Sequence, residues 1–104
     1  MELGLKDRVA IVCGASQGMG QAIALGLARE GACVLLVARN AERLAAAEAA
    51  ILQQCPEAKL ASLAMDLTQP DSAEAVVKAA HIRWSRLDVL VTNMASLRTV
   101  SPDP

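Results

Sequence analysis

The stretch that decides the fold is VAIVCGASQGMGQAIALGLAREGA, residues 9–32. Its first five residues are apolar, as in strands of parallel sheets that are buried on both faces. A glycine-rich turn follows, and apolar residues then recur at helical spacing as far as Glu30. Gly31 stands where helices commonly end. The stretch therefore predicts a strand, a tight turn and a helix.

Short apolar runs predict three further strands. They span residues 33–38, 60–64 and 88–91, and helical segments fall between them. The spacings allow right-handed crossovers, which join parallel strands. We therefore expect an α/β domain with a parallel sheet of about four strands in the order 3-2-1-4 and helices on both faces. This domain is predicted to cover residues 1–96, and residues 97–104 are predicted to be an unstructured tail.

Capping residues and apolar spacing predict two more helices. Asn40 caps a segment that ends near Gln54. Thr68 and Asp71 resemble a capping box at the start of the third helix. The expected buried stripes are Leu44, Ala47 and Ile51 in the second helix and Ala73, Val76, Val77, Ala80 and Trp84 in the third, with His81 close to the latter stripe.

Composition and charge exclude several classes of function. The 104 residues include 10 basic and 11 acidic side chains, so the formal charge of -1 gives no electrostatic basis for binding nucleic acid or an anionic membrane. No segment has the apolar length of a membrane span or the pattern of a secretory signal. Cys13, Cys33 and Cys55 are widely spaced and odd in number. They predict reduced thiols in the cytoplasm, with no disulfide framework and no metal site.

Three glycines, Gly14, Gly18 and Gly20, lie between the first strand and the first helix. A residue without Cβ can adopt positive φ and lets a phosphate approach the main chain closely. The free N–H groups at the start of the helix attract the same anion. The turn therefore predicts a phosphate-binding site, which also includes Ser16, Gln17 and Met19.

The glycine spacing resembles the Thr-Gly-x-x-x-Gly-x-Gly of the short-chain dehydrogenase/reductase family, and of its 3-oxoacyl-ACP-reductase-like members in particular. The likeness covers residues 5–96 and implies a partial Rossmann fold that binds a dinucleotide. In such folds an acidic residue after the second strand binds the adenosine ribose, whereas an arginine accommodates the additional phosphate of NADP. Here Ala38 takes the place of the acid and is followed by Arg39 and Asn40. NADP is therefore favoured over NAD.

The resemblance implies contacts at both ends of the cofactor. Asp66 and Leu67 match the family's pair that holds the adenine edge through a carboxylate and a backbone amide. After the fourth strand, relatives have Asn-Asn-Ala-Gly where this chain has Thr-Asn-Met-Ala at residues 92–95. The cofactor-binding residues implied there are Asn93, Met94 and Ala95.

The family's catalytic residues cannot be placed in this sequence. Relatives transfer hydride with a tyrosine, a lysine four residues later, a serine and an asparagine, all beyond the fourth strand, and this chain contains no tyrosine. We therefore assign no catalytic residue and expect a chain that is truncated before them and inactive alone.

Three interpretations remain open. The chain is the N-terminal portion of a reductase that transfers hydride between NADPH and a ketone or secondary alcohol, a non-catalytic dinucleotide-binding module, or a truncated product without function. Besides the cofactor, the predicted partner is a second copy, because the fourth strand would leave an apolar edge of the sheet exposed.

Overall fold

A computed structural model describes residues 4–16 and 18–92. Its strands are β1 (Val9–Cys13), β2 (Cys33–Ala38), β3 (Lys59–Ala64) and β4 (Val89–Thr92). Its helices are α1 (Gly18–Arg29), α2 (Ala41–Gln54) and α3 (Ser72–Trp84). The sheet is parallel with the order β3-β2-β1-β4, as predicted. The predicted tail, residues 97–104, lies outside the described residues.

The two central strands explain the continuous apolar runs in the sequence. Every residue of β1 and β2 is buried, because helices cover both faces of the sheet. Val12 and Leu36 face α1 and α2, whereas Ile11 and Leu35 face α3. Within the described part of the chain, no helix combines the length and hydropathy needed to cross a bilayer.

Small residues bring α1 close to the sheet. Gly20, Ala24 and Ala28 recur every fourth position and are the buried residues of this helix. Larger side chains at these positions would push the helix axis away from the strands. Gly20 therefore serves packing, which the sequence pattern alone did not separate from a role in phosphate binding.

The ends of α1 and α2 follow their predicted signals. Gly31 has φ 88, and the N–H groups of Gly31 and Ala32 donate to the carbonyls of Ala28 and Leu27, which is the Schellman arrangement. The α1 helix ends at Arg29, one residue earlier than expected. At the start of α2, the Asn40 side chain accepts a hydrogen bond from the Arg43 N–H at 2.9 Å, as predicted.

The start of α3 corrects the predicted capping box. The helix begins at Ser72, and the N-cap residue Asp71 makes no side-chain capping bond. Thr68 lies in the preceding turn, where its hydroxyl donates to Asp66. The Ser72 hydroxyl donates to the Leu67 carbonyl at 3.0 Å and holds the helix start against this turn.

The buried face of α3 also differs from the prediction. Ser72, Val76 and Ala80 face the core. Ala73, Val77 and His81 are exposed, so placing His81 near the buried stripe was wrong. The side chains that face the sheet recur every four residues from Ser72, and residues 73, 77 and 81 are each rotated by about 100° from that line.

A charged cluster ties β4 to β1 at the amino edge of the sheet, the edge where the strands begin. Asp88 Oδ2 accepts from the Val9 N–H and from Arg86 Nε, each at 2.8 Å. Its Oδ1 accepts from Arg86 Nη2 at 2.8 Å and from Arg8 Nη1 at 3.3 Å. Arg86, followed by the Val9 N–H, lowers the pKa of Asp88 to about 2.

Candidate functional site

The predicted site residues that the structure describes share the carboxyl edge of the sheet, where the strands end. In the register of the sheet, Cys13 lies beside Val37 and Thr92, and Val37 lies beside Leu63. The carboxyl ends of the four strands therefore lie side by side, with neighbouring strands about 4.8 Å apart. The direction of chain progression reverses between β1 and β4, and in open parallel sheets ligands bind in the crevice at such a point.

The glycine turn follows β1 at this edge of the sheet. Gly14 has φ 75 and Gly18 has φ 59, a region that residues with a Cβ rarely adopt. The N–H groups of Gly14 and Ala15 both donate to the Val37 carbonyl, at 2.8 and 3.2 Å. A Cβ on Gly18 would meet no heavy atom within 4 Å. The turn is therefore anchored to β2 on one side and open on the other.

The first turn of α1 has the properties of an anion site. Its N–H groups have no carbonyl of an earlier helical turn to bind, and the helix dipole adds partial positive charge. No acidic residue lies in this first turn. Met19 lies in this turn and is 68% exposed, Ser16 is half-buried, and Gln17 lies outside the described residues.

Two polar residues follow β2. Arg39 and Asn40 are both exposed, and Arg39 forms no ion pair within the part of the chain that the structure describes. The side-chain carbonyl of Asn40 is engaged by the helix cap, so its amide nitrogen is the group available to a ligand. A guanidinium at this position is suited to a phosphate, which accepts its paired N–H groups.

The segment after β3 presents an acceptor and a donor side by side. Asp66 Oδ1 accepts from the Thr68 hydroxyl at 2.7 Å and the Thr68 N–H at 2.9 Å. These bonds, the hydroxyl first, lower the pKa of Asp66. They end on one oxygen, Oδ1, and leave Oδ2 without a bond from Thr68. The N–H of Leu67 has no partner among residues 4–16 and 18–92.

This pair matches the hydrogen-bonding edge of adenine, which carries an amino donor beside a ring-nitrogen acceptor. The ionised carboxylate can accept from the amino group, and the adjacent backbone N–H can donate to the ring nitrogen. The sequence interpretation did not assign the positioning role of Thr68. An aspartate followed two residues later by a hydroxyl residue is a local signal of such a turn.

Cys13 ends β1 directly before the glycine turn. It is buried, and loss of solvation raises the pKa of its thiol. The thiol therefore remains protonated at neutral pH and behaves as a small apolar side chain. The three residues implied after β4, Asn93, Met94 and Ala95, lie outside the described residues.

Comparison with known proteins gives the lineage of the chain. Residues 8–102 match the family model described as short chain dehydrogenase. The chain is 37% identical over 87 residues to levodione reductase of Leifsonia aquatica, covering 84% of this chain and 33% of that protein. It is 34% identical over 90 residues to the NADPH-dependent reductase BacG of Bacillus subtilis (strain 168), covering 86% of this chain and 35% of that protein.

A solved structure agrees with the sequence matches. The L-sorbose reductase from Gluconobacter frateurii, complexed with NADPH and L-sorbose, has a TM-score of 0.83 and 35% identity, with 91% of this chain and 36% of that chain covered. The chain spans about a third of the length of the curated relatives it matches. By sequence and by fold, the chain belongs to the short-chain dehydrogenase family.

Proposed function

We propose that the chain binds NADP(H) along the carboxyl edge of the sheet. The observation that carries the proposal is the glycine turn at the β1–β4 crevice, where Gly14 and Gly18 adopt positive φ and leave the start of α1 open. The pyrophosphate would bind at this turn. The adenine would lie against Asp66 and Leu67, two strands away, at about 10 Å.

The preference for NADP over NAD is supported by Arg39. The side chain is exposed and follows a strand that ends without an acidic residue. A carboxylate at that position would accept from the ribose hydroxyls and repel a phosphate, whereas a guanidinium attracts it. Two relatives also support NADP, since BacG is named as NADPH-dependent and the sorbose reductase was solved with NADPH.

We propose, as the wider role, hydride transfer between NADPH and a ketone or secondary alcohol in a cytoplasmic reductase. When bound, the cofactor supplies the hydride, and the residues of this chain hold and orient it. The chain contains no tyrosine, so the family's acid/base group is not among its residues, and we expect this chain by itself to bind the cofactor without turnover. The free, buried cysteines support a reducing compartment.

We also propose self-association through β4. This strand lies at the end of the sheet and pairs with β1 on one side. Leu90 in it is 55% exposed, and edge strands with exposed apolar residues pair readily with another chain. Sedimentation at increasing concentration should show a rise in mean mass, and a constant monomer mass would reject this part of the proposal.

Calorimetric titration of the chain with NADPH and with NADH tests the binding proposal. Arg39→Ala should weaken NADPH binding about tenfold or more, because a charge-assisted hydrogen bond is lost, and should leave NADH binding unchanged. Arg29→Ala is the matched control, since Arg29 is the last residue of α1 and donates to Gln54, the last residue of α2. Equal loss with both cofactors would reject the role of Arg39. Absence of heat with either cofactor would reject the site itself.

A further inference from the structure

Met19 is an exposed thioether in the glycine turn. The residue is 68% exposed, and it lies in the first turn of α1 between Gly18 and Gly20. Met65 is half-buried against the core cluster below α3. Because oxidation of methionine follows access to the sulfur, the two side chains should differ in reactivity.

The cysteines should react with an oxidant more slowly than Met19. Cys13, Cys33 and Cys55 are all buried, and desolvation raises the pKa of the Cys13 and Cys33 thiols. Peroxide reacts with the thiolate, which is scarce at neutral pH in both groups and shielded from solvent. Met19 is therefore the sulfur of the described residues that is best placed to react.

We propose that Met19 is an oxidation site through which peroxide weakens dinucleotide binding. The inference rests on the proposed function and adds a form of regulation to it. The sulfur lone pair attacks one peroxide oxygen, the O–O bond breaks, an S–O bond forms and water leaves. The sulfur is oxidised by two electrons and hydrogen peroxide is reduced, so the step needs no other reactant.

The effect on binding follows from the position of the new oxygen. A sulfoxide oxygen is a strong acceptor with partial negative charge, and Met19 carries it on the turn whose N–H groups are open to an anion. It can accept from these N–H groups and repels the pyrophosphate that would use them. An apolar side chain at the same position does neither.

The first arm of the experiment measures the modification without a cofactor. The full chain is treated with hydrogen peroxide, and the oxygen gained by each methionine is followed over time by peptide mass spectrometry. Met19 should be oxidised about tenfold faster than Met65, because their exposure differs. Equal rates at the two residues would overturn the modification site.

The second arm compares NADPH affinity before and after peroxide within each variant. Wild type and Met65→Leu should each lose about fivefold or more, because a polar acceptor now faces the pyrophosphate, and methionine sulfoxide reductase should restore the affinity. Met19→Leu should keep an affinity ratio near one. An equal loss in Met19→Leu would overturn the proposal. If the untreated chain does not bind NADPH, the proposed function is rejected, and so is the effect of oxidation on binding. The first arm still tests Met19 as the oxidation site, because it needs no cofactor.

Discussion

The two edges of the sheet carry similar charged residues but engage them differently. At the amino edge, Asp88 accepts hydrogen bonds from Arg8, Arg86 and the Val9 N–H. At the carboxyl edge, Asp66 is held by Thr68 through one oxygen, and Arg39 has no ion-pair partner among the described residues.

The difference separates groups that hold the fold from groups that are available to a ligand. Arg8 and Asp88 are 80 residues apart in the chain, and their contact fastens β4 to β1. Asp66 and Thr68 are two residues apart, and their bonds orient a side chain without joining two elements. Polar groups satisfied within the protein stabilise it, whereas oriented groups with unused capacity provide affinity for a partner.

The largest effect is expected at Gly18 on the carboxyl edge. Gly18→Ala places a Cβ at φ 59, which costs about 1–2 kcal/mol of backbone strain. The same Cβ would enter open space at the turn where we propose that the pyrophosphate binds, and it should reduce NADPH affinity more than about tenfold in calorimetry. Gly26→Ala is the matched control in α1, because its Cβ also meets nothing within 4 Å. It should stabilise the chain by about 0.5–1 kcal/mol and leave binding intact.

At the amino edge, Asp88→Asn should change the pH dependence of stability. The folded pKa of Asp88 is about 2 against an ordinary value of 3.8. Its contribution is therefore complete above the ordinary value and is lost as the pH falls through that value toward 2. The urea midpoint of Asp88→Asn should be lower than that of wild type at neutral pH and should change less as the pH is lowered.

The control for the amino edge is Asp71→Asn, because the Asp71 side chain makes no capping hydrogen bond. Its urea midpoint should follow wild type across the same pH range. If the urea midpoint of Asp88→Asn changed in parallel with that of wild type down to acid pH, the charged cluster around Asp88 would not stabilise the fold. NADPH binding at neutral pH should persist in both variants.

A smaller effect is expected at the link between α3 and β4. Ser85 has φ 64 and ends α3 in the left-handed region, where glycine is favoured. Ser85→Gly relieves the strain but loosens the unfolded chain, so a net gain of about 0.5 kcal/mol is expected in urea denaturation. Ser85→Ala keeps a Cβ and should give no gain. A loss of stability with glycine would contradict the assigned strain.

The smallest effect is expected at Thr68. Thr68→Val removes the hydroxyl bond to Asp66 and keeps the backbone bond, so the pKa of Asp66 should rise toward its ordinary value in an NMR titration. NADPH affinity should fall about two- to threefold, since the carboxylate is held less firmly. Thr68→Ser retains the hydroxyl and should behave as wild type. An unchanged Asp66 titration in the valine variant would remove Thr68 from the site.

Local signals in the sequence predicted most of the fold. The apolar runs of β1 and β2, the Asn40 cap and Gly31 were interpreted correctly, because strand burial, capping and left-handed helix ends depend on a few neighbouring residues. The capping box at Thr68 was wrong because the same hydroxyl has a competing partner, the carboxylate of Asp66. The buried stripe of α3 was partly wrong, because its rotation depends on contacts with strands distant in the chain.

The candidate site shows the same division. The glycine spacing and the residues after β2 and β3 predicted the candidate site, but the pattern did not distinguish Gly14 and Gly18, which adopt positive φ, from Gly20, which packs α1 on the sheet. The backbone angles and neighbours of each glycine decide that difference.

By itself, the sequence determined the strand and helix alternation, the parallel order of the sheet and the position of the glycine turn, because each rests on local conformational preference and short connections. The tertiary structure alone decided which charges are satisfied. It joined Arg8 and Asp88 across the chain and left Arg39 without an ion-pair partner in the described part. The physical reason is that a hydrogen bond depends on distance and angle in space, which spacing along a chain does not specify.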